Sequence, residues 1–208
     1  MKTLYLAAAA VLAYLLGSIS CAIILGRVKY HDDIRRHGSG NAGATNTLRA
    51  FGKGAAALVF AGDFFKGWLA VYLGGLIAGT SGSLAAGLFV VLGHMFPVFF
   101  SFKGGKGVAT AAGVILAVRP PVLGVLLLLF ILVTAVSRMV SLGSIFVAAA
   151  YPIVTWILSG LAGERSAAEI ALSVAMGALV IFMHRANIAR LLRGEEHKIG
   201  TKKERPAE

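Results

Sequence analysis

Acidic residues are scarce in this chain: nine Asp and Glu stand against twenty Lys and Arg in 208 residues, and Cys21 is the single cysteine. One cysteine excludes a disulfide framework and a cysteine metal cluster, so Cys21, inside an apolar run, reads as a packing residue. Carboxylates this few and this scattered argue against a metal cage. Two nucleophile arrangements are also missing. No Gly-x-Ser-x-Gly elbow occurs, and no His has Asp five residues on. The fifth residues after His31, His37, His94, His184 and His197 are Arg36, Ala42, Phe99, Ala189 and Lys202.

What the chain has in quantity is apolar sequence. Hydrophobic residues make up 58% and charged residues 14%, with mean hydropathy +0.82. This is the composition of a membrane protein. A net charge of +11 would suggest nucleic acid in a soluble protein. Here the basic residues lie between or after apolar runs, so anionic lipid heads and phosphorylated substrates are the expected partners, and nucleic acid is not. Leu4 to Leu25 is long enough for a retained first span rather than a cleaved signal peptide.

Seven apolar segments can be marked, at 3–25, 54–78, 84–101, 105–119, 121–137, 140–160 and 166–184. The fourth is short, reaching about 22 Å at the helical rise. Charge supports keeping it. With 27–53 cytoplasmic, seven crossings put sixteen of the twenty Lys and Arg on the cytoplasmic side, as the positive-inside rule requires. The expectation is an all-α integral membrane protein with seven transmembrane helices, N-terminus outside and C-terminus cytoplasmic. Residues 1–196 would form one polytopic domain and 197–208 a frayed basic tail. Gly75 and Gly79 form a small-xxx-small pair that suits helix contact within or between chains.

In this greasy background, Arg35-Arg-His-Gly-Ser-Gly-Asn-Ala-Gly-Ala-Thr-Asn-Thr-Leu-Arg49 stands out. Gly38, Gly40 and Gly43 permit positive φ and leave backbone N–H groups uncovered. Ser39, Asn41, Thr45 and Asn46 add side-chain donors, and Arg49 a fixed charge. Such a loop suits a phosphate, although the same composition also makes plain surface turns. Phe102-Lys-Gly-Gly-Lys-Gly-Val-Ala-Thr110 offers a second anion site at a helix start, with Lys106 as its charge. It is no nucleotide P-loop, because no Ser or Thr follows Lys106 and no strand precedes it. A basic turn anchored to lipid heads is the alternative.

Asp63 and Lys66 lie within the second segment, and His94 with Pro97 within the third. Charges at that depth should face protein or water. Asp63 and Lys66 can pair at i, i+3, either as a structural tie between helices or as part of a catalytic site. His184 and Asn187 are likewise i, i+3 at the end of the last segment, with Arg185, Arg190 and Arg193 expected at lipid phosphates. The topology brings the glycine-rich loop, Lys103 and Lys106, Arg138 and Ser141, and His184 and Asn187 to one membrane level.

With these pieces in view the chain resembles the bacterial membrane glycerol-3-phosphate acyltransferases that use acyl phosphate as donor, the PlsY family. The resemblance runs through Leu15-Leu-Gly-Ser-Ile-Ser20, Gly38-Ser-Gly-Asn-Ala-Gly-Ala-Thr-Asn46, Asp63-Phe-Phe-Lys-Gly67, Gly93-His-Met-Phe-Pro97, Phe102-Lys-Gly-Gly-Lys-Gly-Val-Ala-Thr110, Ser141-Leu and His184-Arg-Ala-Asn187. It implies transfer of a fatty acyl group from acyl phosphate to the 1-hydroxyl of sn-glycerol 3-phosphate, giving lysophosphatidate and phosphate, the first step of phospholipid biosynthesis. It implies no cofactor and no metal, and a site on the cytoplasmic face of the bacterial inner membrane. Ser39, Asn41, Thr45 and Asn46 match positions holding the acyl-phosphate head, and Arg49, Lys106, Ser141, His184 and Asn187 those holding glycerol phosphate; Gly40 is expected with them as substrate-binding. Ser39, Arg49, Lys106 and His184 are the expected catalytic group. Ala186 departs from the family, where Glu is common. The proton of the hydroxyl would go to a substrate phosphate, with His184 as the rival base. A phosphate or organic-anion transporter is the reading from another class, and a lipid-binding membrane protein without turnover a third.

Overall fold

The computed structural model describes residues 1–199; the rest of the expected tail, 200–208, lies outside the described residues. The helices are α1 (Lys2–Gly17), α2 (Cys21–Lys29), α3 (Ala44–Met95), α4 (Val108–Val118), α5 (Pro120–Ser137), α6 (Val140–Leu161), α7 (Ala167–Met183) and α8 (Arg185–Leu192), with 3-10 turns at Ile34–Arg36 and Val98–Phe100. Among the described residues no strand is present. Among the described residues four stretches are long and apolar enough to cross a membrane: Lys2–Lys29, Ala44–Phe100, Pro120–Ser137 and Val140–Leu161. The pair α7 and α8, bent by 59°, adds a fifth.

The expected segment 54–78 and residues 84–95 of the expected segment 84–101 belong to the single element α3. Its helical geometry fails at Ala78 and at Gly79, where φ is 61°. The arms on either side fold together: Ser83 Oγ donates to the Val71 carbonyl at 3.2 Å. A Cβ at Gly75 would meet Ser83 Oγ at 2.7 Å, so that glycine serves contact within the chain, whereas Gly79 is the turn. The fourth segment is shorter than expected. α4 begins at Val108, after Gly107 with φ 83°, and its 11 residues reach about 16 Å.

The first apolar run is also broken, at Ser18–Ser20 between α1 and α2. Such a break strands polar backbone where water is absent, and each stranded group needs a partner. Lys66 Nζ supplies one, donating to the Ile19 carbonyl at 2.7 Å, and Ser18 Oγ accepts from the Val98 N–H at 3.3 Å. Lys66 also lies 2.7 Å from Asp63 Oδ1, and His94 Nδ1 lies 3.4 Å from the same oxygen. The expected i, i+3 pair is present and ties the two arms of α3 to the broken first helix, while Asp63 and His94 also reach the wall of the polar cavity described below. Breaking such a buried pair costs about 3–5 kcal/mol, because one charge is left alone.

The core runs between α1, α3, α4, α6 and α7 and includes Val90, Val91, Met95, Val114 and Met176. α5 buries only Val122 and Leu126, and turns Leu127, Leu128, Ile131 and Leu132 outward. A helix so apolar on its outer face suits lipid rather than water. Prolines at its start and Arg138 at its left-handed end, φ 59°, set its limits. Away from the polar loops, Arg119 pairs with Glu169 at 2.8 Å and Glu164 at 3.4 Å, tying the α4–α5 turn to the start of α7.

Candidate active site

The glycine-rich loop is built around one side chain. Asn46 Nδ2 donates to the carbonyls of Ile34 at 3.1 Å and His37 at 2.9 Å, while Oδ1 accepts from the Ser39 N–H at 3.0 Å. Gly38 takes φ +54°, and a Cβ there would strike Asn46 Oδ1. The Asn46 amide is thus turned toward the loop itself. The base of the loop is fixed by Arg35, which pairs with Asp33 at 2.7 Å and donates to the Phe100 carbonyl at 3.0 Å. The Asp33 carboxyl is held well below its usual range, chiefly by the Arg35 hydrogen bond acting against burial. Gly43 differs from expectation. Its φ of −144° is ordinary extended backbone, and its position is the N-cap of α3, so the first-turn amides of that helix face outward beside it.

The second loop, 103–107, lies against the end of α3. Gly104 N–H donates to the Met95 carbonyl at 3.2 Å and Gly105 N–H to the His94 carbonyl at 3.1 Å. A side chain at Gly105 would collide with the His94 ring and come within 2.9 Å of the Ala42 carbonyl. Glycine is required there because the loop touches both the buried histidine and the first loop. Lys106 leaves this loop before α4 starts, and its Nζ donates to Asn187 Oδ1.

Asn187 comes from α8, just past the bend. His184 sits at that bend with Nδ1 2.8 Å from the Val180 carbonyl. A carbonyl only accepts, so Nδ1 carries hydrogen and Nε2 of the neutral ring is bare. Ser141, at the start of α6, donates from Oγ to Glu196 Oε1 at 2.9 Å. Asn187 Nδ2 donates to the same oxygen at 2.8 Å, and Arg190 Nε to Oε2 at 2.9 Å.

These groups surround one cavity of about 280 Å³. Of the ten residues singled out in the sequence, nine line it: Ser39, Asn41, Thr45, Asn46, Arg49, Lys106, Ser141, His184 and Asn187. Gly40 does not; its N–H turns back to the His37 carbonyl at 2.9 Å, and its φ of 71° shapes the loop instead. Arg190 corrects the reading that placed it at lipid, since it lines the cavity and pairs with Glu196. Its spacing, i+3 from Asn187 and i+6 from His184, was the available signal. Glu196 and His197 also line the cavity, and no local pattern in the sequence marked them. Among the described residues no group of His, Cys, Asp or Glu is placed to hold a metal.

The field in the cavity is positive. Arg49, Lys106 and Arg190 face it; of the two carboxylates in its wall, Asp63 is paired with Lys66 and Glu196 with Arg190. Burial first, and then Arg190 and Arg49, pull the Lys106 ammonium down to about 8. The sign for activity follows. A lysine that must be charged to hold an anion loses that charge as pH rises through about 8, so kcat/KM for a phosphate substrate should fall there, since this ratio reports the free enzyme. K106R should move the fall to higher pH. For stability the sign is opposite: between the lowered and the ordinary lysine value the unfolded chain holds the extra proton, so stability rises with pH across that window.

A second, apolar cavity of about 150 Å³ opens between α4, α5, α6 and α7. It shares Phe60, Val108, Ala109, Phe130 and Ser144 with the polar one and continues to Ile115, Leu123 and Tyr151.

Known proteins resemble this chain along nearly its whole length. The family described as glycerol-3-phosphate acyltransferase matches residues 7–194. A glycerol-3-phosphate acyltransferase of Syntrophomonas wolfei is 45% identical over 196 residues, covering 94% of this chain and 98% of the relative. One from Paraburkholderia phymatum is 49% identical over 206 residues, covering 95% and 94%. The crystal structure of PlsY, an integral membrane glycerol 3-phosphate acyltransferase, in its glycerol 3-phosphate form superposes with a TM-score of 0.85 at 42% identity, covering 94% of this chain and 96% of that one. The lysophosphatidic acid form gives 0.82 at 40% identity over the same shares. Apolar helices and integral membrane relatives together make this a multi-pass membrane protein, and the chain belongs to the PlsY family of glycerol-3-phosphate acyltransferases.

Proposed function

We propose that this protein transfers a fatty acyl group from acyl phosphate to the 1-hydroxyl of sn-glycerol 3-phosphate, releasing lysophosphatidate and inorganic phosphate. The observation that carries the reading is the junction of a cationic, amide-lined cavity with an apolar one. An acyl phosphate has this shape: a charged head beside Ser39, Asn41, Thr45 and the first turn of α3, and a chain running past Phe130 toward Tyr151. Asn46 holds the loop that presents Ser39. Arg49 and Lys106 take the phosphate of the acceptor, with Ser141, His184 and Asn187 on its other side.

The chemistry needs few participants. The 1-hydroxyl oxygen attacks the acyl carbonyl carbon, the carbon–oxygen bond to phosphate breaks, and phosphate leaves. The hydroxyl proton passes to a phosphate oxygen of a substrate. Two polyanions repel each other at reaction distance, so fixed cations and backbone amides that offset this repulsion supply most of the rate. Cys21, at the start of α2, does not line the cavity and plays no part.

His184 is the rival acceptor of the proton through Nε2. H184Q separates the two: retained kcat with raised KM for glycerol 3-phosphate supports binding, whereas collapse of kcat reversed by imidazole supports a base. For the reaction as a whole, purified protein in detergent is mixed with acyl phosphate and labelled glycerol 3-phosphate. Stoichiometric lysophosphatidate and phosphate are expected; a transporter or lipid-binding protein would release neither.

For the membrane arrangement we propose seven crossings: the broken α1–α2, the two arms of α3, then α4, α5, α6 and α7, with the N-terminus outside. The charge distribution in the sequence supports this orientation, and with it a cytoplasmic site in a bacterial inner membrane.

A further inference from the structure

After α8 the chain turns at Gly194, φ 72°, and comes back over the cavity. Glu195 N–H donates to the Arg190 carbonyl at 2.9 Å, and Ile199 N–H to the Arg138 carbonyl at 2.7 Å. The segment 194–199 is thus a strap tied to α8 at one end and to the α5–α6 turn at the other. Between the ties the Glu196 side chain, only 3% exposed, enters the cavity wall.

Its carboxylate receives three donors, from Ser141, Asn187 and Arg190. The Asn187 contact has a further consequence. An amide that gives Nδ2 to Glu196 must turn Oδ1 the other way, and Oδ1 is the atom that accepts from Lys106. Without the carboxylate Lys106 alone selects Oδ1, Nδ2 has lost its Glu196 acceptor, and the amide is held at one end only. Burial works against the ionised carboxyl, but donation from Asn187, Ser141 and Arg190 outweighs it and holds Glu196 below its usual value.

We propose that Glu196 is a positioning residue for the acceptor subsite: through a strap anchored at Arg138 it fixes Ser141, Asn187 and Arg190 and, by orienting the Asn187 amide, aims Lys106. This rests on the functional reading given above for that subsite. The sign of the effect is diagnostic. Removing a negative charge from an anion site should on Coulomb grounds tighten anion binding, whereas loss of a positioning residue should weaken it.

The test compares wild type, E196A, E196Q and I199P in detergent, measuring KM for each substrate, kcat, thermal unfolding, and glycerol 3-phosphate affinity by calorimetry. For E196A, KM and Kd for glycerol 3-phosphate should rise about ten- to a hundredfold, the range set by a lost charge-assisted hydrogen bond, with KM for the acyl donor unchanged; the unfolding temperature should fall, because Ser141, Asn187 and Arg190 lose their acceptor. E196Q should fall between, because its amide oxygen still accepts from Ser141 and Asn187. I199P, which removes the N–H tie to Arg138 at a residue that does not line the cavity, should shift the same constants in the same direction by less. A lower KM for glycerol 3-phosphate in E196A would overturn the proposal, since the carboxylate would then be a blocking anion. Unchanged constants, or an equal rise for both substrates, would overturn it as well. Wild type that binds glycerol 3-phosphate without turnover would defeat the functional reading alone, and the calorimetric comparison would still decide the role of Glu196.

Discussion

Replacing Lys106 by Met is expected to lower kcat/KM for glycerol 3-phosphate about 10²- to 10³-fold, the usual effect of deleting one preorganised charge donor in a water-poor site. The methionine keeps most of the apolar stem, so packing against the neighbouring loop survives and the loss isolates the charge. K106R should recover only part of the activity. Guanidinium is planar and branched, and Lys106 leaves a loop whose neighbours, Gly104 and Gly105, are already in closest approach to His94 and Met95. If K106M retained the wild-type constants, the cations of the cavity would have to be regarded as lipid anchors.

The second large effect is expected at Asn46. Removing its amide takes the side-chain acceptor from the Ser39 N–H and one of two donors from each of the Ile34 and His37 carbonyls, which keep the His37 and Gly40 N–H groups. Each lost hydrogen bond costs about 0.5–1.5 kcal/mol. N46A should therefore both destabilise the loop and reduce activity about 10²-fold, on the scale of a misplaced donor. N46D is the sharper variant. It keeps the shape but sets a carboxylate oxygen against two carbonyl oxygens, so it should be no better than N46A. A direct substrate ligand would behave differently, since Asp could retain one acceptor and the loop would keep its thermal stability. Initial rates and unfolding temperature together distinguish these outcomes.

The contrast between Lys106 and Asn46 shows what could be read from sequence and what could not. Residue type and spacing put both at one site, and the cavity includes both. Direction was not legible. Asn46 faces back into its own loop, and only the path of the backbone from Ile34 to Ser39 determines this. The same limit explains Gly43, which was grouped with Gly38 as a positive-φ glycine but is extended. Arg190 shares a helical stripe with His184 and Asn187 and was still assigned to lipid, because a basic residue at a membrane edge has two acceptable partners. Glu196 was invisible: its importance comes from a return of the chain over 194–199, and nothing in a run of charged residues announces where it will turn. The buried pair of Asp63 and Lys66 was legible as a pair from i, i+3 spacing. Its use, closing the break between α1 and α2 through the Ile19 carbonyl, depends on a contact distant in sequence.

The proposed reaction is a direct transfer, with both anions held together in one cavity and no acyl group carried on the protein. Rapid quench of the purified enzyme with acyl-labelled acyl phosphate tests this most directly. Phosphate release should require glycerol 3-phosphate, with the label appearing only in lysophosphatidate. A burst of phosphate equal to the enzyme concentration in the absence of glycerol 3-phosphate, with label retained on the denatured protein, would contradict it.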